Sequence, residues 1–128
     1  MLFRSVVLVE SVPAAARAAQ ANLADLPRVE VVRSRVEHAL RPASPLAGRP
    51  VDLVLLDPPR SGAGAGVVQA VAAARPRAVC YVACDPAALA RDIATFRQAN
   101  WRLAKLRAYD CFPMTQHVEC VALLVPGP

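Results

Sequence analysis

The chain has 128 residues and a formal net charge of +5, and 55% of its residues are hydrophobic while only 5% are aromatic. That length suits one domain, spanning residues 1–128, with a core built from Val, Leu and Ala. Charged residues at 20% argue against disorder, and no apolar run nears the ~20 residues of a membrane helix.

The apolar run near the N-terminus is too short for a signal peptide and predicts a strand, so the expected compartment is the cytoplasm. A pI of about 9.6 suits an anionic partner, with nucleic acid the usual one, although no block of Lys or Arg occurs. The four cysteines, at 80, 84, 111 and 120, show no Cys-x-x-Cys spacing, and there are two histidines, so no metal site is expected. In a cytoplasmic chain these cysteines are expected as free thiols.

Val6–Val9 predict a first strand closed by Glu10; Ser11 is placed to cap the alanine-rich helix that follows, with Pro13 in its first turn. Val29–Val32 predict a second strand, and residues 41–50, with three prolines and a glycine, a loop. Val51–Leu56 are nearly continuous in apolar residues and predict a central strand, ending at Asp57-Pro58-Pro59-Arg60. Gly62, Gly64 and Gly66 lead into a helix with Val67, Val71 and Ala74 on one face, stopped by Pro76. Val79–Ala83 form the next strand, and Asp85 and Pro86 are a good cap and first residue for a helix lined by Leu89, Ile93 and Phe96. Trp101–Ala108 and Val118–Val125 close the chain as two antiparallel strands. The order predicts an α/β fold with most of a doubly wound sheet, whose ligands bind at the carboxyl ends of the strands.

Glu10, Asp57 and Cys84 all fall at such ends. An acid at Glu10 suits ribose hydroxyls, although a solvated strand-end carboxylate is the more common occupant of such a position. Two prolines after Asp57 cannot continue a ladder, so the chain leaves the sheet abruptly, either as a plain turn or to hold Asp57 at a crevice. Cys84 lies beyond the last buried strand position and before a capped helix, whose N-terminus favours thiolate, whereas Cys80 is expected to be an inert core thiol. Glu119, between Val118 and Cys120, is either an exposed edge residue or a carboxylate with a function.

Three segments together carry a resemblance: Asp57-Pro58-Pro59-Arg60, then Tyr81-Val82-Ala83-Cys84-Asp85-Pro86-Ala87-Ala88-Leu89-Ala90-Arg91-Asp92, then Phe112-Pro113-Met114-Thr115-Gln116-His117-Val118-Glu119. They resemble the C-terminal signatures of the RNA 5-methyluridine (uracil-5) methyltransferase family. The resemblance implies a Rossmann-like class I methyltransferase sheet and S-adenosyl-L-methionine as cofactor, with tRNA or rRNA as substrate. It also implies Cys84 as the nucleophile that adds to uracil carbon 6 and Glu119 as the base that removes the carbon-5 proton. Glu10 and Asp57 become the cofactor-binding acids. The target uridine must leave its stack to reach such a pocket.

The chain departs from the family pattern in three ways. Ala83-Cys84-Asp85-Pro86 stands where the family has Ser-Cys-Asn-Pro, a tolerable change because Asp and Asn cap helices alike. Ser34-Arg35-Val36 lacks the acid often found after the family's third strand. The family's first strand and glycine-rich loop have no counterpart before Val6, so the sheet is expected to be truncated at the N-terminus, and Gly62–Gly66 follow the wrong strand to replace that loop. The expectation is a partial catalytic domain with weak or no cofactor binding of its own and with self-association through an exposed sheet edge. Two other readings stay open: an amino-group methyltransferase with an Asp-Pro-Pro motif, and an inactive Rossmann-like remnant that serves as a binding module.

Overall fold

The computed structural model describes residues 5–44 and 46–128 and divides into two units, Met1–Arg49 and Pro50–Pro128, each with its own sheet. In the first unit, β1 (Val6–Glu10) pairs in parallel with β2 (Val29–Arg33), Val6 facing Val29 and Glu10 facing Arg33. Parallel strands need a crossover, and α1 (Pro13–Asn22) supplies it, with Ala16 buried. Pro13 opens α1 as predicted, but Ser11 does not cap it. Val12 holds the cap position, and its N–H donates instead to Glu10 Oε1 at 2.7 Å. With the helix starting at Pro13, Ser11 sits one residue too early to reach the free amides of the first turn. A short α2 (Val36–Ala39) follows β2.

The second unit orders its strands β3-β4-β6-β5: β3 (Leu53–Leu56), β4 (Ala78–Ala83), β5 (Trp101–Tyr109) and β6 (Glu119–Pro126). β3 and β4 are parallel, joined through α3 (Ala65–Ala73); β6 runs antiparallel to both β4 and β5. The predicted antiparallel pair is therefore present, and it joins the parallel part through β6.

β3 was expected at the centre, yet among the described residues it is an outer strand paired only with β4, and Leu55 is 67% exposed. A continuous apolar run reports that both faces of a strand are apolar; it carries no information on which neighbours the strand has. The strand also starts later than predicted, at Leu53, and before it the Asp52 carbonyl accepts from Arg77 N–H in the same register.

β4 alternates strictly, with Val79, Tyr81 and Ala83 buried and facing Leu124, Ala122 and Cys120 of β6. That face meets α4 (Pro86–Gln98), which buries Leu89 and Phe96, and the Phe96 ring lies 5.8 Å from that of Trp101. α3 buries Val68 and Val71; of the predicted face, Val71 is buried and Val67 and Ala74 are half-buried. Residues facing each other on neighbouring strands share a face. The opposite face of this sheet therefore carries Cys80 and Val82 of β4 with Leu123 and Val121 of β6, all half-buried.

Candidate active site

The parallel strands β3 and β4 end at the same side of the sheet, and β6, running the other way, begins there. Asp57 is the first residue after β3, Cys84 the first after β4, and Glu119 the first of β6. The β4–β6 ladder closes with Ala83 facing Cys120, so Cys84 and Glu119 are the next residues in register, one step beyond the last pair. Facing residues of an antiparallel ladder keep their Cα atoms about 4.5–5.5 Å apart, and Cys84 and Glu119 flank the last such pair, Ala83 and Cys120. Glu119 also pairs with Tyr109 at the end of β5. Three of the four predicted site residues thus gather on adjacent strands. Glu10 ends β1 in the other unit, with one carboxylate oxygen engaged by Val12.

The local chemistry of Cys84 follows from its neighbours. Ala83 is buried, Cys84 half-buried and outside the strand, and Asp85 caps α4 by accepting from the Ala88 N–H at 2.8 Å. The cap and Pro86 fix the turn that carries the thiol to the helix start. At Cys120, burial first, and then the nearby Glu119 charge, push the thiol above its ordinary value. Cys80, expected to be buried, is half-exposed on the other face of β4.

Before Glu119, residues 110–118 form a loop knitted by Thr115. Its N–H and hydroxyl both donate to the Phe112 carbonyl, and its hydroxyl oxygen accepts from His117 N–H. Phe112 and Met114 project into solvent.

Sequence reasoning passed over a second set of residues. Asp92 of α4 is the buried carboxylate of this unit, and its Oδ2 accepts from Tyr81 Oη at 2.6 Å, Ala63 N at 2.7 Å and Gly64 N at 3.3 Å. The adjacent Arg91 donates to the Ser61 carbonyl at 2.5 Å, and its Nε lies 3.5 Å from Asp92 Oδ1. Two consecutive helix residues therefore grip the loop that follows Asp57-Pro58-Pro59-Arg60. The loop passes so close that a Cβ on Gly62, at φ +82°, would lie 2.6 Å from Asp92 Oδ2. Burial first, and then the Asp92 hydrogen bond, hold the Tyr81 phenol well above its ordinary value of 10.0. A signal was present in the sequence: Asp92 falls between Leu89 and Phe96 at helical spacing, which puts a carboxylate on an apolar face.

A Rossmann-like α/β sheet with acids and a thiol at its carboxyl end defines the class as that of the methyltransferase folds. A putative methyltransferase from Thermoplasma acidophilum superimposes with a TM-score of 0.72 over 96% of this chain and 57% of its own, at 13% identity, which is a likeness of fold. The tRNA (uracil-54, C5)-methyltransferase from Pyrococcus abyssi, solved with S-adenosyl-L-homocysteine, superimposes with a TM-score of 0.76 at 29% identity, covering 94% of this chain and 29% of that one. An uncharacterized RNA methyltransferase of Streptomyces avermitilis is 47% identical over 124 residues, 96% of this chain. One from Streptococcus mutans is 40% identical over 91% of it. The tRNA (uracil-5-)-methyltransferase family matches residues 45–126, more than half of the chain, and the chain belongs to that family. It spans 28% of the length of the Streptomyces avermitilis relative and 26% of the Streptococcus mutans one.

Proposed function

We propose that this chain carries the catalytic residues of an S-adenosyl-L-methionine-dependent RNA methyltransferase that forms 5-methyluridine in tRNA or rRNA. The observation that carries the reading is the β4–β6 register, which sets a thiol at a helix N-terminus beside a carboxylate. Uracil carbon 5 is too weak a nucleophile by itself. In this reading the Cys84 thiolate adds to carbon 6, and the electron pair of the 5,6 double bond moves toward carbon 5 and the carbon-4 carbonyl. S-adenosyl-L-methionine, when bound, supplies the electrophilic methyl group. Glu119 then takes the proton from carbon 5 as the bond from carbon 6 to Cys84 breaks. The double bond re-forms and the thiolate is regenerated.

The acids suit the cofactor's donors. Glu10 keeps one carboxylate oxygen for a ribose hydroxyl beside the one that accepts from Val12, and Asp57 is an exposed acceptor at a strand end. Asp92 and Arg91 do not belong to the chemistry; they hold the loop after Asp57. A cytoplasmic setting goes with this reading, and among the described residues no helix is long and apolar enough to cross a membrane. The reading also includes a catalytic portion incomplete by itself, open to self-association along β3.

The test is transfer of labelled methyl to uridine-containing RNA, by this chain and by a fusion to the upstream portion of the Streptomyces avermitilis relative. The fusion is expected to methylate carbon 5, and the chain alone to bind the cofactor weakly in calorimetry. In the active form Cys84→Ala is expected to abolish transfer, and Glu119→Gln to accumulate a protein–RNA adduct stable to denaturation. Methylation of uridine-containing RNA that survives Cys84→Ala sinks the covalent route and favours an amino-group or non-covalent chemistry.

A further inference from the structure

β5 is the other outer strand of the four-stranded sheet, and from Arg102 to Tyr109 every residue is exposed. Its register against β6 slips between Leu103 and Lys105, so Ala104 is an extra residue in the strand. The slip changes which side chains share a face. In a regular strand Arg102 would point away from Lys105 and Arg107. With the extra residue, Arg102, Lys105, Arg107 and Tyr109 face Val125, Leu123, Val121 and Glu119, while Leu103, Leu106 and Ala108 face Leu124, Ala122 and Cys120. Three cations and a tyrosine are thus lined up on one face at steps of about 7 Å, the repeat of alternate strand residues.

Among the described residues, none of the three cations makes an ion pair, and the acid on that face is Glu119, opposite Tyr109. Their cross-strand partners are three aliphatic residues, and the ion pairs, Arg35–Glu37, Arg49–Glu30 and Arg91–Asp92, lie elsewhere. The row also has a direction. It ends at Tyr109, 43% exposed and in register with Glu119, which is in turn the neighbour of Cys84. Positive charge in file with an exposed aromatic ring is what binds a nucleic acid strand with its bases unpaired: cations take phosphates and the ring stacks a base. The ordinary role of charge on an edge strand is to discourage pairing with other chains. That role needs no common face and no termination at a catalytic pair.

We propose that Arg102, Lys105, Arg107 and Tyr109 form a track for single-stranded RNA that leads the target nucleotide to Cys84 and Glu119. The proposal rests on the uridine-methylation reading for its destination, while the track itself is measurable without catalysis. The experiment is fluorescence anisotropy of the 128-residue chain with a short uridine-containing single-stranded RNA over a range of salt. Replacing Arg102, Lys105 and Arg107 together by Ala is expected to weaken binding about ten-fold or more. The slope of log affinity against log salt should fall by about 2, because each phosphate neutralised on a single strand contributes about 0.7. Tyr109→Ala is expected to weaken binding at least about five-fold with the slope unchanged.

As a control of net charge, Arg17, Arg41 and Arg97 replaced together should change binding much less. Should the triple variant self-associate in light scattering, Arg107→Gln alone, which keeps most of the edge charge, is expected to lower the slope by about 0.7. Undetectable binding by the parent chain, an unchanged affinity and slope in the β5 variants, or an equal weakening in the control overturns the track. Binding along the track without methylation by the fusion would overturn the catalytic reading and leave the track standing.

Discussion

Asp92→Ala strips one acceptor from three donors, the buried Tyr81 Oη and the half-buried amides of Ala63 and Gly64. A buried donor left unpaired costs about 1–3 kcal/mol, and the amides regain partial hydration once the loop loosens, so the expected loss is about 3 kcal/mol in urea unfolding. Gly62→Ala reaches the same loop from the other side, since its Cβ would meet the carboxylate. It is expected to release the Ala63 and Gly64 amides to hydrogen exchange before global unfolding.

Tyr81 adds a pH dependence. Below pH 10.0 folded and unfolded chains both keep the phenol proton, and its contribution is whole. Above that, the unfolded chain ionises first because the folded phenol is held higher, so stability falls as pH rises, by up to about 1.4 kcal/mol per pH unit. Tyr81→Phe is expected to lose about 1 kcal/mol at neutral pH and to flatten the alkaline fall. Urea midpoints on either side of pH 10.0 check both; an equally steep fall in the variant assigns it to other groups. None of this network was read from the sequence, because its members lie on a loop, a strand and a helix far apart in the chain. The lone hint was a carboxylate on an apolar helix face.

At the scale of elements, the turn from β4 into α4 was the most legible part of the chain. Cys84, Asp85 and Pro86 follow an alternating strand, and each local preference agrees: Pro86 is fit only for a first turn and Asp85 for a cap. The same reasoning placed Ser11 wrongly, because Pro13 fixes where α1 starts, and Val12 rather than the serine then falls at the cap. Propensity locates a helix start to within a residue or two, and a cap is worth something only at one position. Asp85→Ala is accordingly expected to cost about 1 kcal/mol in unfolding, and Asp85→Asn close to nothing. A large loss in Asp85→Asn would mean that the carboxylate charge, rather than the hydrogen bond to Ala88, holds the turn. Glu119, by contrast, became legible as the partner of Cys84 only through resemblance. Their adjacency depends on β6 inserting between β4 and β5, and short-range patterning carries no information on strand order.

Across the whole molecule, the exposed aliphatic residues of β3 set the behaviour of the chain in solution. Leu55 is 67% and Leu53 43% exposed, and among the described residues no strand pairs with the far side of β3. The two outer strands of this sheet are therefore unlike. β5 carries Arg102, Lys105 and Arg107, whose charge opposes pairing with a second copy, whereas the β3 strand, Leu53–Leu56, has no charge at all. A short apolar edge of that kind templates another strand of the same sort, so the expected association runs β3 to β3. Light scattering is expected to show a mass that rises with concentration in the parent chain. Leu55→Lys should return it to the monomer, because a lysine at the most exposed position of β3 puts like charges together across such a junction. Association along β5 would instead be driven by loss of the three cations and left unaffected by Leu55→Lys. A parent chain that stays monomeric at every concentration would show that the β3 edge, for all its exposed leucine, is too short to hold a partner.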